Sequence, residues 1–142
     1  MPKILIVIAN FYQDLADALV AGATEALKKA GASYDIVTVP GAFEIPGAIS
    51  MAHASGTYDG YVALGCVIRG ETTHYDYVCL ESARGLNDLA VREHAAIGYG
   101  IVTTENKHQA LERILPDRGN KGAAAVEACL RMVELKKQWV KA

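Results

Sequence analysis

Cysteine is scarce in this chain, with three residues, Cys66, Cys79 and Cys129, spread through 142 positions. An odd, widely spaced set gives no disulfide framework and reads as reduced thiols. Long apolar runs are also missing. The run nearest the start, Ile4 to Ala9, is far too short for a bilayer span. Polar Asn10, Gln13 and Asp14 follow at once, where a signal peptide would carry small residues for cleavage. The expected location is therefore the cytoplasm. Charge of one sign is lacking too: 14 Lys and Arg stand against 16 Asp and Glu, a net of −2. That balance advertises no nucleic-acid face and no polybasic membrane patch. The four histidines, His53, His74, His94 and His108, form no HExxH pair and no Cys/His cluster, so no metal site is expected. What is present is a globular composition, 51% hydrophobic and 21% charged, which excludes disorder. The length suits one domain over residues 1–142.

Hydrophobic periodicity changes repeatedly along the chain. Lys3 to Ala9 is a continuous β-branched run, the mark of a strand buried on both faces. From Asp14 to Lys29, Leu15, Ala18, Leu19, Gly22, Ala23 and Ala26 fall on one helical face, and Gly31 ends it. Tyr34 to Val39 reads as a second strand, stopped by Pro40-Gly41. Glu44 to Ala54 reads as a short helix, with Pro46 tolerable in its first turn. Tyr61 to Ile68 is a third strand, about His74 to Glu93 a long helix, and Ile97 to Thr104 a fourth strand. Lys107 to Ile114 is a short helix. The last helix starts near Gly122, with Val126, Cys129, Leu130, Val133 and Val140 on one stripe. Four strand–helix alternations predict an α/β fold: a four-stranded parallel sheet with right-handed crossovers, covered on both faces. This is a three-layer αβα sandwich of flavodoxin-like kind. Ligands of such sheets sit beyond the carboxyl ends of the strands, which directs attention to Asn10-Phe11-Tyr12, Gly41 to Glu44, Arg69 to His74 and Thr103 to Asn106.

Those ends carry the polar and aromatic residues. Gly70-Glu71-Thr72-Thr73 connects a strand to a helix start, where free N–H groups and the helix dipole favour an anion. The same residues also suit a plain Thr N-cap. His74 stands in the first helical turn, where a neutral imidazole can accept a proton; a purely structural histidine is the other reading. Arg113 and Arg118-Gly119-Asn120-Lys121-Gly122 place cations beside a glycine turn, suited to a phosphomonoester or to a solvated loop. Phe11 and Phe43 follow strands and could stack on a flat heterocycle or fill the core. Glu44 could accept hydrogen bonds from a polyol or partner its own helix dipole. Composition and spacing alone give a pocket for an anionic ligand and no reaction.

The same segments resemble the lumazine synthase family. Val39-Pro40-Gly41-Ala42-Phe43-Glu44-Ile45-Pro46 is similar to its VPG(S/A)(W/F)EIP segment, and Gly65 to Val78 to its GxVIRGxTxH(Y/F)(D/E)YV segment. Gly100 to Asn106 resembles G(I/V)(L/I)TxEN, and Arg113 with Gly119-Asn120-Lys121-Gly122 resembles the family's Arg…GNKG. The likeness runs from Lys3 to about Lys137. It implies a cofactor-independent transferase of riboflavin biosynthesis. That enzyme condenses 5-amino-6-(D-ribitylamino)uracil with 3,4-dihydroxy-2-butanone 4-phosphate, giving 6,7-dimethyl-8-ribityllumazine, phosphate and water. By position, Phe11 would stack on the pyrimidine. Ala42, Phe43 and Glu44 would border the ribityl chain, and Cys66, Val67 and Ile68 would line the ring pocket. Glu71 and Thr72 would hold the phosphate through the turn, and His74 would carry protons. The resemblance further implies a homo-oligomer, a pentamer or a multiple of pentamers, with sites between subunits. Tyr99, Arg113 and Lys121 would then come from the adjacent chain.

Two features depart from the family pattern. Many members read Arg-Phe-Asn where this chain has Asn10-Phe11-Tyr12, which keeps the ring and changes its flanks. Glu71 sets a carboxylate beside the implied phosphate, which fits only if its side chain turns away and its N–H binds. The alternatives are a flavodoxin-like binding module and a shell-forming paralogue without activity. A closer rival is the archaeal-type riboflavin synthase, against which the complete Arg-Gly-Glu-Thr-Thr-His and Gly-Asn-Lys-Gly segments speak.

Overall fold

A computed structural model describes residues 1–140. Four strands, β1 (Lys3–Ala9), β2 (Ser33–Val39), β3 (Gly60–Ile68) and β4 (Ile97–Thr104), alternate with helices α1 (Gln13–Lys29), α2 (Ile45–Ser55) and α3 (His74–Glu93). Helices α4 (Lys107–Ile114) and α5 (Lys121–Trp139) follow. All pairings are parallel, in the order β2-β1-β3-β4. The connection from β2 to β3 crosses over β1, which brings the ends of β1 and β3 together.

The two-residue period of a strand splits β1 between two cores. Ile4, Ile6 and Ile8 pack with Leu15, Leu19, Leu27, Ile114, Val126 and Cys129, under α1, α4 and α5. Leu5, Val7 and Ala9 pack with Ile45, Ile49, Val78 and Leu86, under α2 and α3. A buried Leu or Ile contributes roughly 1.5–3 kcal/mol relative to exposure, and β1 serves both layers at once. Glycines let the layers close. A Cβ on Gly98 would stand 1.9 Å from the Ala125 carbonyl oxygen, so α5 lies directly on β4 there.

Three expectations change. β2 is one of the two edge strands and is not covered on both faces: Ile36 is 45% exposed and Val37 43%. The helix expected from Glu44 begins at Ile45, after a single 3-10 turn, Ala42–Glu44. Pro46 sits in its first turn, where its missing N–H costs nothing. Val140 does not extend the α5 stripe, because the helix ends at Trp139 and Val140 is extended and 41% exposed. Gly31 does close α1, with φ 73° and its N–H donating to the Lys28 carbonyl at 3.1 Å. Among the described residues no helix is long and apolar enough to cross a membrane.

Candidate active site

The strand ladders continue one residue past the carboxyl ends. Asn10 N–H donates to the Val39 carbonyl at 3.1 Å, and Arg69 N–H donates to the Thr104 carbonyl at 2.9 Å. Their successors, Phe11 and Gly70, are thereby aimed at the same edge. A cavity of about 610 Å³ opens there, lined by Phe11, Ala42, Phe43, Glu44, Cys66, Val67, Ile68, Thr72 and His74. Most of the residues singled out from the sequence thus converge.

Neither phenylalanine is a core residue. Phe11 is 74% exposed and Phe43 56%, and both line the cavity. Phe11 is braced by Tyr12, edge to face, with ring centroids 5.0 Å apart. Glu44 closes the 3-10 turn, its N–H donating to the Gly41 carbonyl at 3.2 Å. Its Oε1 lies 3.2 Å from where a Cβ on Gly41 would stand, so glycine leaves the carboxylate room. Cys66 is held protonated: burial pushes its thiol up to about 11, and the nearby Asp14 and Cys79 act in the same sense. A thiol in that state is no nucleophile at neutral pH, so Cys66 serves as wall.

The turn from β3 to α3 is open to solvent from Arg69 to His74. Thr73 is the N-cap residue of α3, but its own side chain makes no cap hydrogen bond. Instead the Thr72 hydroxyl accepts from the His74 N–H at 3.3 Å. Gly70 and Thr72 line the cavity, whereas Glu71 between them does not. The Glu71 carboxylate, which would repel an anion, is thus not part of the cavity wall, and neither is the Glu71 N–H.

Three predicted residues lie elsewhere. Arg113 is exposed near the end of α4, with Nη1 donating to the Gln109 carbonyl at 2.8 Å. Lys121 begins α5. Gly119 joins them, since its Cβ would stand 2.6 Å from the Arg113 carbonyl oxygen. Asn120, at φ 46°, turns the chain and accepts from the Ala123 N–H at 3.4 Å. Arg113 and Lys121 therefore bracket one tight turn as a cationic corner, but neither lines the cavity of its own chain. Tyr99 lines a separate apolar groove between α3 and β4, with Leu80, Leu86 and Ile97.

Sequence reasoning pointed to the strand ends that hold Tyr12, Gly41 and Gly70, and missed Pro40, Tyr75 and Val78 as lining residues. Tyr75 adjoins His74, and that adjacency was the available signal. Burial raises the Tyr75 hydroxyl above its ordinary value, against a hydrogen bond from Thr103 that lowers it. Among the described residues no three His, Cys, Asp or Glu side chains converge as metal ligands.

A parallel α/β sheet with an aromatic wall, an exposed turn and a histidine around a cavity at its carboxyl end defines an α/β domain built like a small-molecule enzyme. Comparison with known proteins places it more closely. The family model for 6,7-dimethyl-8-ribityllumazine synthase matches residues 1–137, and the chain belongs to that family. A relative from Bartonella tribocorum (strain CIP 105476 / IBS 506), named 6,7-dimethyl-8-ribityllumazine synthase, is 56% identical over 139 residues, covering 97% of this chain and 92% of its own. One from Rhizobium meliloti (strain 1021), named 6,7-dimethyl-8-ribityllumazine synthase 1, is 57% identical over 140 residues, covering 95% and 92%. One from Agrobacterium fabrum (strain C58 / ATCC 33970) is 56% identical, covering 96% of each chain.

Proposed function

We propose that this cavity, completed by a neighbouring copy, carries out the condensation that defines the family. The chain joins 5-amino-6-(D-ribitylamino)uracil to 3,4-dihydroxy-2-butanone 4-phosphate, releasing 6,7-dimethyl-8-ribityllumazine, phosphate and water. One observation carries the assignment of roles: exposed Phe11 and Phe43, Glu44, Thr72 and His74 border a single cavity.

Phe11 stacks on the pyrimidine, with Cys66, Val67 and Ile68 along its edge. Ala42, Phe43 and Glu44 border the ribityl chain, and the Glu44 carboxylate accepts from its hydroxyls. The N–H groups of Glu71 and Thr72 hold the phosphate. The uracil amine attacks the ketone, the carbinolamine loses one water, and phosphate is eliminated after enolisation. The enol left by that elimination becomes a ketone, to which the ribitylamino nitrogen adds, and loss of a second water closes the ring. His74 moves protons in the dehydration and the enolisation. Cations and amides stabilise the departing phosphate. Holding two reactive substrates together supplies a large share of the acceleration.

The cationic corner finds its place in a homo-oligomer. In a pentamer, or a multiple of pentamers, Tyr99, Arg113 and Lys121 of one subunit complete the cavity of the next. Exposed Met51, Tyr77, Leu80 and Val91 on α2 and α3 supply apolar surface for such packing. Residues 1–142 form one domain of this family, acting in the cytoplasm on small molecules, without nucleic acid or membrane.

The test is the two-substrate condensation, followed by lumazine absorbance, on protein whose mass in solution has been measured. Turnover by the assembled oligomer is expected. A folded oligomer that binds the uracil yet makes no lumazine would instead be a binding or shell paralogue.

A further inference from the structure

We propose that Arg69 is a positioning residue that pins the anion-binding turn shut; the inference rests on reading Gly70 to Thr73 as the phosphate site. Arg69 is the last residue before that turn. Its Nε donates to Glu105 at 2.7 Å, just beyond β4, and its Nη2 donates to Asp76 at 3.3 Å, in the first turn of α3. Its guanidinium also lies 4.4 Å from the centre of the Tyr75 ring, within cation–π range. Tyr75 lines the cavity next to His74. The backbone N–H of Arg69 holds the end of β4 through the Thr104 carbonyl at 2.9 Å.

One side chain therefore spans both ends of a loop that has few other ties. Residues 70 to 74 are exposed, and their other hydrogen bonds are local: the Thr72 hydroxyl accepts from the His74 N–H, and the Thr73 carbonyl from the Asp76 and Tyr77 N–H groups. A planar fork can meet two carboxylates and stack on a ring together, which an ammonium cannot. The pin has an electrostatic side as well. Glu105 and Asp76 would otherwise stand uncompensated beside the phosphate site, and Arg69 neutralises them. Its charge is thereby committed, so it orients the amides and Tyr75 and does not bind substrate itself.

Arg69→Gln and Arg69→Lys test this in the assembled enzyme, with Arg113→Ala as reference. The readouts are KM for each substrate, inhibition by inorganic phosphate and melting temperature. Arg69→Gln should raise KM for the phosphate substrate and weaken phosphate inhibition by about tenfold, as a loop displaced by a fraction of an ångström would. KM for the uracil should stay within about twofold. Arg69→Lys should fall with Arg69→Gln, because charge without the fork does not pin. Full recovery in Arg69→Lys would overturn the pin in favour of charge alone. Equal rises in both KM values with a lowered melting temperature would overturn it in favour of general stability. Phosphate inhibition lost in Arg113→Ala but intact in Arg69→Gln would overturn the pin and leave the phosphate site standing. Absence of phosphate inhibition in the wild type would remove the site and the pin together.

Discussion

Gly122→Ala asks whether close contact between α1 and α5 fixes the cation-bearing start of α5. A Cβ there would stand 2.2 Å from the Leu19 carbonyl oxygen and 2.9 Å from the Ala23 nitrogen, both backbone atoms of α1. The contact is reciprocal, since a Cβ on Gly22 of α1 would stand 2.2 Å from Asn120 Oδ1. Backbone cannot swing aside as a side chain can, so the helices must part by roughly 1 Å. Helix propensity alone favours alanine by about 1 kcal/mol, and overpacking against backbone that cannot yield opposes it by about 2–3 kcal/mol, the upper part of the usual range. The net expectation is a loss of about 1–2 kcal/mol, read as a melting temperature about 3–8 °C lower. Gly47→Ala is the control. Gly47 is exposed in α2 with nothing within 4 Å of its would-be Cβ, so only propensity acts and melting should rise. Thermal unfolding at one fixed protein concentration compares the two, because an oligomer's melting depends on concentration. Opposite signs are expected. Gly122→Ala melting at or above wild type would refute the rigid contact, and with it the idea that α1 locates Lys121.

Arg113→Ala should impair use of the phosphate substrate, raising its KM by about tenfold or more. His74→Ala should lower kcat by about 10- to 100-fold without abolishing turnover, because positioning survives. Steady-state kinetics on both variants checks the pair, and unchanged kinetics in Arg113→Ala would refute its phosphate role. Stability should also fall in alkali. Burial raises Cys66 from 9.0 to about 11 and Cys129 from 9.0 to about 12. The folded state therefore holds these protons more tightly than the unfolded chain. Their contribution is intact below pH 9 and is lost as pH rises through the folded values. Melting temperature followed upward from pH 8 should decline, and less steeply in Cys129→Ala. An identical slope in that variant would refute the assignment.

The strand–helix alternation was legible because each element signals its own period. Ile4 to Ala9 reads as a doubly buried strand and is one. Ser33–Val39 also reads as a strand, yet none of its residues is buried, because exposure depends on the sheet order β2-β1-β3-β4. No local pattern states that β1 lies inside β2. The cavity was legible for a related reason. In a parallel sheet every strand points the same way, so residues following β1, β2 and β3 meet at one edge whatever the order.

Contacts that span elements were not legible. Arg69 reads as a polar turn residue, and only the pairing of β3 with β4 brings Glu105 within its reach. The split between the cavity and the cationic corner has the same origin. Arg113 and Lys121 are close in sequence, and Gly119 between them packs on the Arg113 backbone, so their grouping could be read locally. Their distance from the cavity could not. A single chain thus holds the two halves of the proposed site apart, each rigidly built: the cavity walls by strand ladders, the corner by glycine contacts that leave no room for a Cβ. On the proposed function, such halves meet only when a second copy supplies the missing one, and assembly becomes a condition of catalysis and not merely a source of stability.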